Sequence, residues 1–128
     1  MPLVIDTSAW ARQRKPTVRQ RWNATNEAGL LASCPAAALE IFQTARDESE
    51  FAGLQKALAL LPQAPITVSV CRAALGAAGE LRGSRRIPTI DYFIAAAAAE
   101  CGFGVLHADR HFDLLATVLP FESARLPE

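Results

Sequence analysis

Short apolar segments recur along the chain and are separated by longer stretches with helical spacing. Strands are predicted for four of them: "LVI" at 3–5, "GLLASC" at 29–34, "FGVLH" at 103–107 and, more weakly, "FESARL" at 121–126. Strands that alternate with helices along most of a chain indicate a parallel sheet covered on both faces. The pattern therefore predicts an α/β fold, a three-layer α/β/α sandwich.

The helices between these strands are indicated by apolar spacing and by residues typical of helix ends. Pro35 fits the first turn of a helix that runs to about Arg46, with apolar residues at positions i, i+3, i+4 and i+7. In "PTIDYFIAAAAAECG", Thr89 is the predicted N-cap and Gly102 the predicted stop. Further helices are predicted over about 50–61, from Thr67 or Ser69 to Leu81, and over 110–118.

The composition is that of one globular domain over residues 1–128. Hydrophobic residues make up 51% and charged residues 20%, which excludes a disordered or fibrous chain. No apolar run approaches the roughly 20 residues of a membrane span, and no signal-peptide pattern opens the chain. Cys34, Cys71 and Cys101 lack the paired spacing of zinc or redox motifs, so they are expected to be reduced core residues. We expect a soluble, cytoplasmic protein.

The charges balance overall but are unevenly distributed. Thirteen basic and thirteen acidic residues give no net charge, so bulk charge does not indicate a nucleic-acid partner. Trp10 and Trp22 flank the first of two basic clusters and are expected to pack in a core or interface rather than to stack on RNA bases. The clusters are either solvated faces or phosphate-binding patches. They comprise Arg12, Arg14, Lys15, Arg19 and Arg21, and then Arg82, Arg85 and Arg86.

Four acids stand at informative positions in this pattern. Asp6 directly follows the first strand and Asp109 follows the third after one residue, so both should project from the edge where parallel sheets bind ligands. Asp91 lies in the first turn of a helix, and Glu40 lies in an apolar helical segment. Each alone has a structural explanation, as a cap for a helix from Ser8, a helix N-terminal charge or a solvent-facing acid.

Considered together, the four acids favour a metal site. Converging carboxylates repel one another and need a compensating cation. Their oxygen ligands suit Mg²⁺ or Mn²⁺ better than zinc. A divalent cation held in this way is typical of enzymes that hydrolyse phosphodiester bonds.

The segments that carry these acids resemble the acidic motifs of the PIN-domain ribonucleases. The segments are "LVIDTSAW" with Asp6, "AALEIF" with Glu40, "IPTIDYFIAAAA" with Asp91 and "VLHADRHFDLLA" with Asp109. The similarity is greatest to the VapC-type toxins of bacterial toxin–antitoxin pairs, and it covers nearly the whole chain in order.

This resemblance implies a PIN-like α/β/α sandwich, with a central parallel sheet and an acidic pocket that binds Mg²⁺ or Mn²⁺. It implies a metal-dependent endoribonuclease toxin, usually a homodimer, that a VapB-like antitoxin neutralises. Carried over by position, the metal-binding and catalytic acids are Asp6, Glu40, Asp91 and Asp109. The supporting residues are Ser8 and Asp113, and the basic residues expected to contact RNA are Arg12, Arg14, Arg85 and Arg86.

His111 departs from the family pattern, because many relatives carry an acid at this position. It is expected to weaken metal binding or to make it pH-dependent. The alternation of His107, Asp109, His111 and Asp113 also allows a transition-metal cluster, although a partly exposed polar rim is favoured for both histidines.

Two other functions remain open. One is a PIN-like module that binds RNA or protein without catalysis, because His111 has inactivated the pocket. The other is a phosphotransfer domain of similar layout, which fits less well because Ser8 stands where a haloacid-dehalogenase-like enzyme would have an acid.

Overall fold

A parallel sheet of four short strands lies at the centre of the structure, a computed structural model that describes residues 1–127. The strands are β1 (Leu3–Ile5), β2 (Leu31–Ala32), β3 (Gly104–His107) and β4 (Ser123–Arg125). Their order across the sheet is β2-β1-β3-β4, and each neighbouring pair is parallel. Because Ile5 lies opposite Leu106, the carboxyl ends of β1 and β3 meet at one edge.

Helices cover both faces of this sheet. They are α1 (Thr7–Trp10), α2 (Pro16–Glu27), α3 (Pro35–Phe42), α4 (Glu48–Ala59), α5 (Val68–Glu80), α6 (Thr89–Cys101) and α7 (His111–Leu115). Successive strand residues point to opposite faces. Val4 and Val105 therefore pack with α5, α6 and α7, whereas Ile5 and Leu106 pack with α1, α2 and α4. The predicted three-layer sandwich with a central parallel sheet is confirmed.

Helix α6 is the buried helix of one outer layer. Its alanines from Ala95 to Ala98 are buried, and their small side chains let the helix pack closely in the core that includes Val105. The helix ends at Gly102, which has the left-handed backbone (φ +69°) that glycine adopts at little cost. The predicted stop is therefore confirmed.

Gly104, at the start of β3, has no space for a side chain. A Cβ at this position would lie 2.7 Å from Leu3 Cδ2 and 2.8 Å from the carbonyl oxygen of Glu122. Since these atoms belong to the two neighbouring strand regions, a larger residue would push β1 or β4 away from β3. The site described below depends on that spacing.

Several predicted boundaries were wrong. The second strand covers only Leu31–Ala32, and the helix from Pro35 ends at Phe42 instead of near Arg46. The final helix covers only His111–Leu115. The residue at the N-cap of α6 is Pro88 and not Thr89, which is already the first helical residue.

Helix α2 was not among the helices predicted individually. Only Val18 and Trp22 are buried along it, so its apolar stripe is too sparse to be recognised by spacing. Trp22 is buried and meets Trp10 edge-on, with ring centroids 6.0 Å apart, which confirms the packing role expected for both rings. Of the three free cysteines, only Cys34 is fully buried. Among the described residues, no helix has both the length and the apolar character needed to cross a bilayer.

Candidate active site

Asp6 forms the turn from β1 into α1. Its backbone is extended, and its carboxylate Oδ2 accepts a hydrogen bond from the Ser8 backbone N–H at 3.0 Å. Asp6 is therefore the N-cap of α1. The sequence favoured a wall of a metal pocket over a helix cap for this residue, and the exclusion of the cap was wrong. The carboxylate caps the helix and also faces Glu40 and Asp91.

Ser8 connects the two central strand ends. Its hydroxyl donates to Asp6 Oδ2 and accepts a hydrogen bond from the Ala108 backbone N–H at 2.9 Å. Because Ala108 precedes Asp109, this contact fixes one acid relative to the other. The supporting role predicted for Ser8 has a direct geometric basis.

Glu40 and Asp91 reach the same edge from α3 and α6. The Thr7 hydroxyl donates to Glu40 Oε1 at 3.2 Å, which holds the partly buried Glu40 side chain towards α1. Asp91, in the first turn of α6, is only 5% exposed. Oxygen atoms of Asp6, Glu40 and Asp91 all lie within 4.8 Å of one another and form a candidate metal-ligand group.

A second candidate group shares Asp91 with the first. Asp109 and His111 flank the start of α7, and one ligand atom from each lies within 4.8 Å of Asp91. His111 Nδ1 is 2.9 Å from Asp109 Oδ1 and 3.3 Å from Asp91 Oδ2, although it forms a hydrogen bond with neither. The imidazole therefore presents a nitrogen to the acids, which was not expected of a rim residue.

We call the set Asp6, Glu40, Asp91, Asp109 and His111 the acidic pocket. All four acids predicted as catalytic and metal-binding are thus brought together. The sequence marked His111 as a departure from the family pattern that would weaken metal binding or make it pH-dependent, and favoured a partly exposed polar rim for it. The signal that could have placed His111 in the pocket is its position two residues after Asp109. This spacing spans the turn into α7, so the two side chains lie close together.

The electrostatics of the acidic pocket favour a bound cation. Burial, and then the charges of Asp6, Asp109 and Glu40, raise the pKa of Asp91 to about 8. Burial and the charge of Asp6 also raise the pKa of Glu40, against the hydrogen bond from Thr7. Within residues 1–127, no lysine or arginine forms a salt bridge with any of these acids. Oxygen ligands and uncompensated negative charge both fit a divalent metal ion.

His107 lies behind the acidic pocket, and the prediction of an exposed rim was wrong for it. It is fully buried at the end of β3, where burial lowers its pKa. Its Nδ1 accepts from the Asp109 backbone N–H at 3.1 Å, and its Nε2 lies 2.7 Å from the Ser123 hydroxyl. His107 and Asp113 therefore do not join Asp109 and His111 in one transition-metal cluster.

Asp113 is linked to the basic end of β4. Its Oδ1 accepts from the Ser123 hydroxyl at 2.6 Å, and its Oδ2 pairs with Arg125 at 3.0 Å. Among the described residues, the candidate metal groups do not include Asp113, so any support it gives is indirect. Sequence reasoning missed Ser123, because no motif connects it with His107.

The arginines predicted to contact RNA occupy two different settings. Arg12 is partly buried, and its Nη1 donates to the Ser8 carbonyl oxygen at 2.8 Å. Arg14 is exposed in the turn after α1, and Arg85 and Arg86 are exposed in the loop before α6. Both loops border elements that supply acids to the pocket.

Comparison with known proteins shows to which family this arrangement belongs. A family model described as PIN domain matches residues 3–118. The chain belongs to the PIN domain family. This PIN domain is 41% identical over 120 residues to Ribonuclease VapC51 of Mycobacterium tuberculosis, covering 90% of this chain and 85% of that protein. It is 30% identical over 123 residues to Ribonuclease VapC18 of the same organism, covering 92% and 90% of the two chains.

Solved structures share the fold of this PIN domain. A VapBC-5 toxin–antitoxin structure from M. tuberculosis superposes with a TM-score of 0.70 at 22% identity, and 98% of each chain is covered. DNA-bound VapBC from Salmonella typhimurium gives a TM-score of 0.69 at 18% identity, covering 99% and 97% of the two chains. The family resemblance and the fold predicted from the four acidic motifs are confirmed.

Proposed function

We propose that this PIN domain is an endoribonuclease that hydrolyses RNA phosphodiester bonds with a divalent cation, Mg²⁺ or Mn²⁺, in the acidic pocket. The observation that carries the proposal is the convergence of two ligand groups on the buried Asp91. The relatives named ribonuclease VapC support RNA as the substrate.

The two ligand groups differ in their preference for metals. Asp6, Glu40 and Asp91 offer only oxygen atoms, which suit Mg²⁺ and Mn²⁺ alike. Asp91, Asp109 and His111 add an imidazole nitrogen, which suits Mn²⁺ better than Mg²⁺. When bound, such an ion supplies positive charge that lowers the pKa of water and stabilises charge on phosphate oxygens.

The protein's own groups divide the remaining work. The backbone N–H and the hydroxyl of Ser8 both donate to Asp6 Oδ2, so neither of these hydrogen bonds uses Oδ1. Glu40 is only partly buried, and burial beside Asp6 raises the pKa of its carboxyl, which makes it a stronger base than a free glutamate for the proton of an attacking water. Asp109, held by its backbone at the end of β3, closes the other side of the pocket.

A catalytically inactive binding module is not favoured. That alternative depended on His111 as a residue that disables the pocket. Instead, the ring enters the pocket with Nδ1 facing two carboxylates, where a nitrogen ligand adds to the donor set.

The same proposal extends to partners. Neighbours in fold are toxin–antitoxin complexes, so we expect this PIN domain to act as a cytoplasmic toxin that a VapB-like antitoxin neutralises. The large apolar side chains of Leu39, Phe51 and Leu60 are exposed on and after α3 and α4. Exposed apolar side chains of this kind suit contact with an antitoxin or with the second subunit of a homodimer.

The arginines at the pocket's borders are proposed to bind RNA phosphates. Arg14, Arg85 and Arg86 project from loops next to α1 and α6, and Arg12 contacts the backbone of Ser8 directly. Replacing Arg14 or Arg85 with Gln should weaken RNA binding uniformly across RNA sequences and reduce its salt dependence.

The test compares cleavage of total cellular RNA by the wild-type protein and by Asp6→Asn, with Mg²⁺, with Mn²⁺ and with chelator. Asparagine still caps a helix, so loss of cleavage would reflect the lost charge in the pocket. Asp47→Asn is the matched control, because Asp47 is the N-cap of α4 and lies outside the pocket. Fragments that require metal, and that Asp47→Asn also produces, are expected. Equal cleavage by Asp6→Asn would contradict the proposal.

A further inference from the structure

The backbone that carries Asp109 is held from two sides. On the pocket side, the Ala108 N–H donates to the Ser8 hydroxyl. On the buried side, the next amide, that of Asp109, donates to His107 Nδ1. Two successive backbone groups are therefore fixed by side chains just before the acid enters the pocket.

The hydrogen bonds behind Asp109 have a defined direction. Since the Asp109 N–H donates to His107 Nδ1, the ring proton belongs on Nε2, which then donates to the Ser123 hydroxyl. Ser123 donates onward to Asp113 Oδ1, and Arg125 donates to Asp113 Oδ2. Each donor along this path meets an acceptor. We call His107, Ser123, Asp113 and Arg125 the His107 network.

The network begins in the core and ends at the surface. His107 is fully buried and packs against Phe112, with ring centroids 5.0 Å apart, so its ring has little freedom to turn. The Asp113 and Arg125 side chains are each 42% exposed. The network thus joins β3, the start of α7 and β4 behind the acidic pocket.

We propose that His107 is a positioning residue, which sets the backbone of Asp109, and through it His111, for metal binding. The inference rests on the proposed function and deepens it. His111 depends on the same loop, because its backbone N–H donates to Asp109 Oδ1 at 3.0 Å. A shift of the Asp109 amide would therefore move both ligands that complete the second group around Asp91.

Two substitutions of His107 separate positioning from packing. In His107→Asn, the amide oxygen replaces Nδ1 and retains an acceptor for the Asp109 N–H. In His107→Gln, the longer side chain places its amide near the former Nε2 and retains the contact with Ser123 but not that with Asp109. Both remove the ring that packs on Phe112, so their loss of packing is similar.

The experiment measures Mn²⁺ affinity by electron paramagnetic resonance on the full chain, with cleavage rates measured in parallel. His107→Gln is expected to bind Mn²⁺ roughly 10-fold more weakly, as removal of a group that orients a ligand typically does. His107→Asn and Ser123→Ala should both stay within about threefold of wild type, because both keep an acceptor for the Asp109 N–H. Urea unfolding of each variant checks that the two His107 variants are equally folded.

Each contrary result has a distinct meaning. Equal Mn²⁺ affinity in wild type and His107→Gln would overturn the inference while leaving the proposed function intact. Equal weakening in His107→Asn and His107→Gln would also overturn it, because packing alone would then explain the effect. A wild-type protein that neither binds Mn²⁺ nor cleaves RNA would overturn the proposed function itself, and this inference with it.

Discussion

The acidic pocket and the His107 network share the loop after β3, but their carboxylates have opposite electrostatic surroundings. Asp113 in the network accepts from Ser123 and pairs with Arg125. Asp91 in the pocket is far more buried, yet its charged neighbours are other acids and one imidazole. The carboxylate of the network is paired with an arginine, whereas the acids of the pocket form no salt bridge with a lysine or arginine among the described residues.

This difference separates stabilising charge from functional charge. A buried carboxylate without a compensating partner lowers stability, so its presence indicates a ligand that the protein must bind. A paired, half-exposed carboxylate contributes little in either direction. The predictions that follow test this contrast.

The largest effect should come from Asp91→Asn. Because Asp91 belongs to both ligand groups, the substitution should reduce RNA cleavage by at least about 100-fold in single-turnover assays. Asp113→Asn should retain cleavage to within about tenfold, since it acts only through Ser123 and His107. Similar losses in the two variants would contradict the distinction between the groups.

Stability of the metal-free protein should depend on pH through Asp91. Its pKa is raised from 3.8 to about 8 on folding, so the folded state holds a proton that the unfolded state releases. The stabilisation from the proton on Asp91 is therefore fully present below about pH 4, is lost by several kcal/mol as the pH rises to about 8, and does not change further above that pH. Urea unfolding with chelator should show the decline, and Asp91→Asn should reduce it. The same decline of stability in Asp91→Asn would show that other titrating groups cause it.

Metal addition should raise thermal stability, and more so at high pH. Binding requires the ionised Asp91, so Mn²⁺ at about 100 times its Kd should stabilise by about 3 kcal/mol at pH 8. The shift in Tm should shrink at pH 5.5, where protons compete for the carboxylate. Asp91→Asn should show little shift at either pH in differential scanning fluorimetry. An equal shift in that variant would place the ion elsewhere.

The smallest effect should be the stability change in Asp113→Asn. Its pair with Arg125 is about 42% exposed on each side, so solvent screens it and its loss should cost less than about 1 kcal/mol. Urea unfolding at low and high salt measures this cost. A loss of several kcal/mol would show that the His107 network stabilises the fold much more than its exposure suggests.

Most of the fold, the four acids and the supporting Ser8 could be predicted from the sequence, but the link from His107 through Ser123 to Asp113 could not. Asp6 and Asp109 could be placed because strand ends in a parallel sheet share an edge, and alanines in α6 indicated a closely packed helix. Ser123 could not be linked with His107, because they lie 16 residues apart and meet only through the register of β3 and β4.

Two other differences have local causes. Asp6 was assigned one role where the structure gives it two, because an N-cap carboxylate keeps a second oxygen available. Helix α2 was not predicted individually because only two of its side chains are buried. The histidines could not be distinguished by sequence, although His107 is in the core and His111 is in the pocket.

The order of strands across the sheet also has a consequence for synthesis. Strand β1 leaves the ribosome early, but it pairs with β3, and Ser8 bonds to a residue 100 positions later. Until β3 has emerged, Asp6 has no Asp109 beside it, and Asp91 lies on a helix that has no β3 to pack against.

An incomplete chain therefore carries Asp6, Glu40 and Asp91 without the strand that aligns them and without Asp109 and His111. A nascent chain that stops before β3 would leave one edge of β1 unpaired, and Val4 and Ile5 would lack their partners Val105 and Leu106. Such a chain exposes a strand edge that favours aggregation. The non-local pairing of β1 with β3 thus delays completion of the acidic pocket until β3 and Asp109 have been translated.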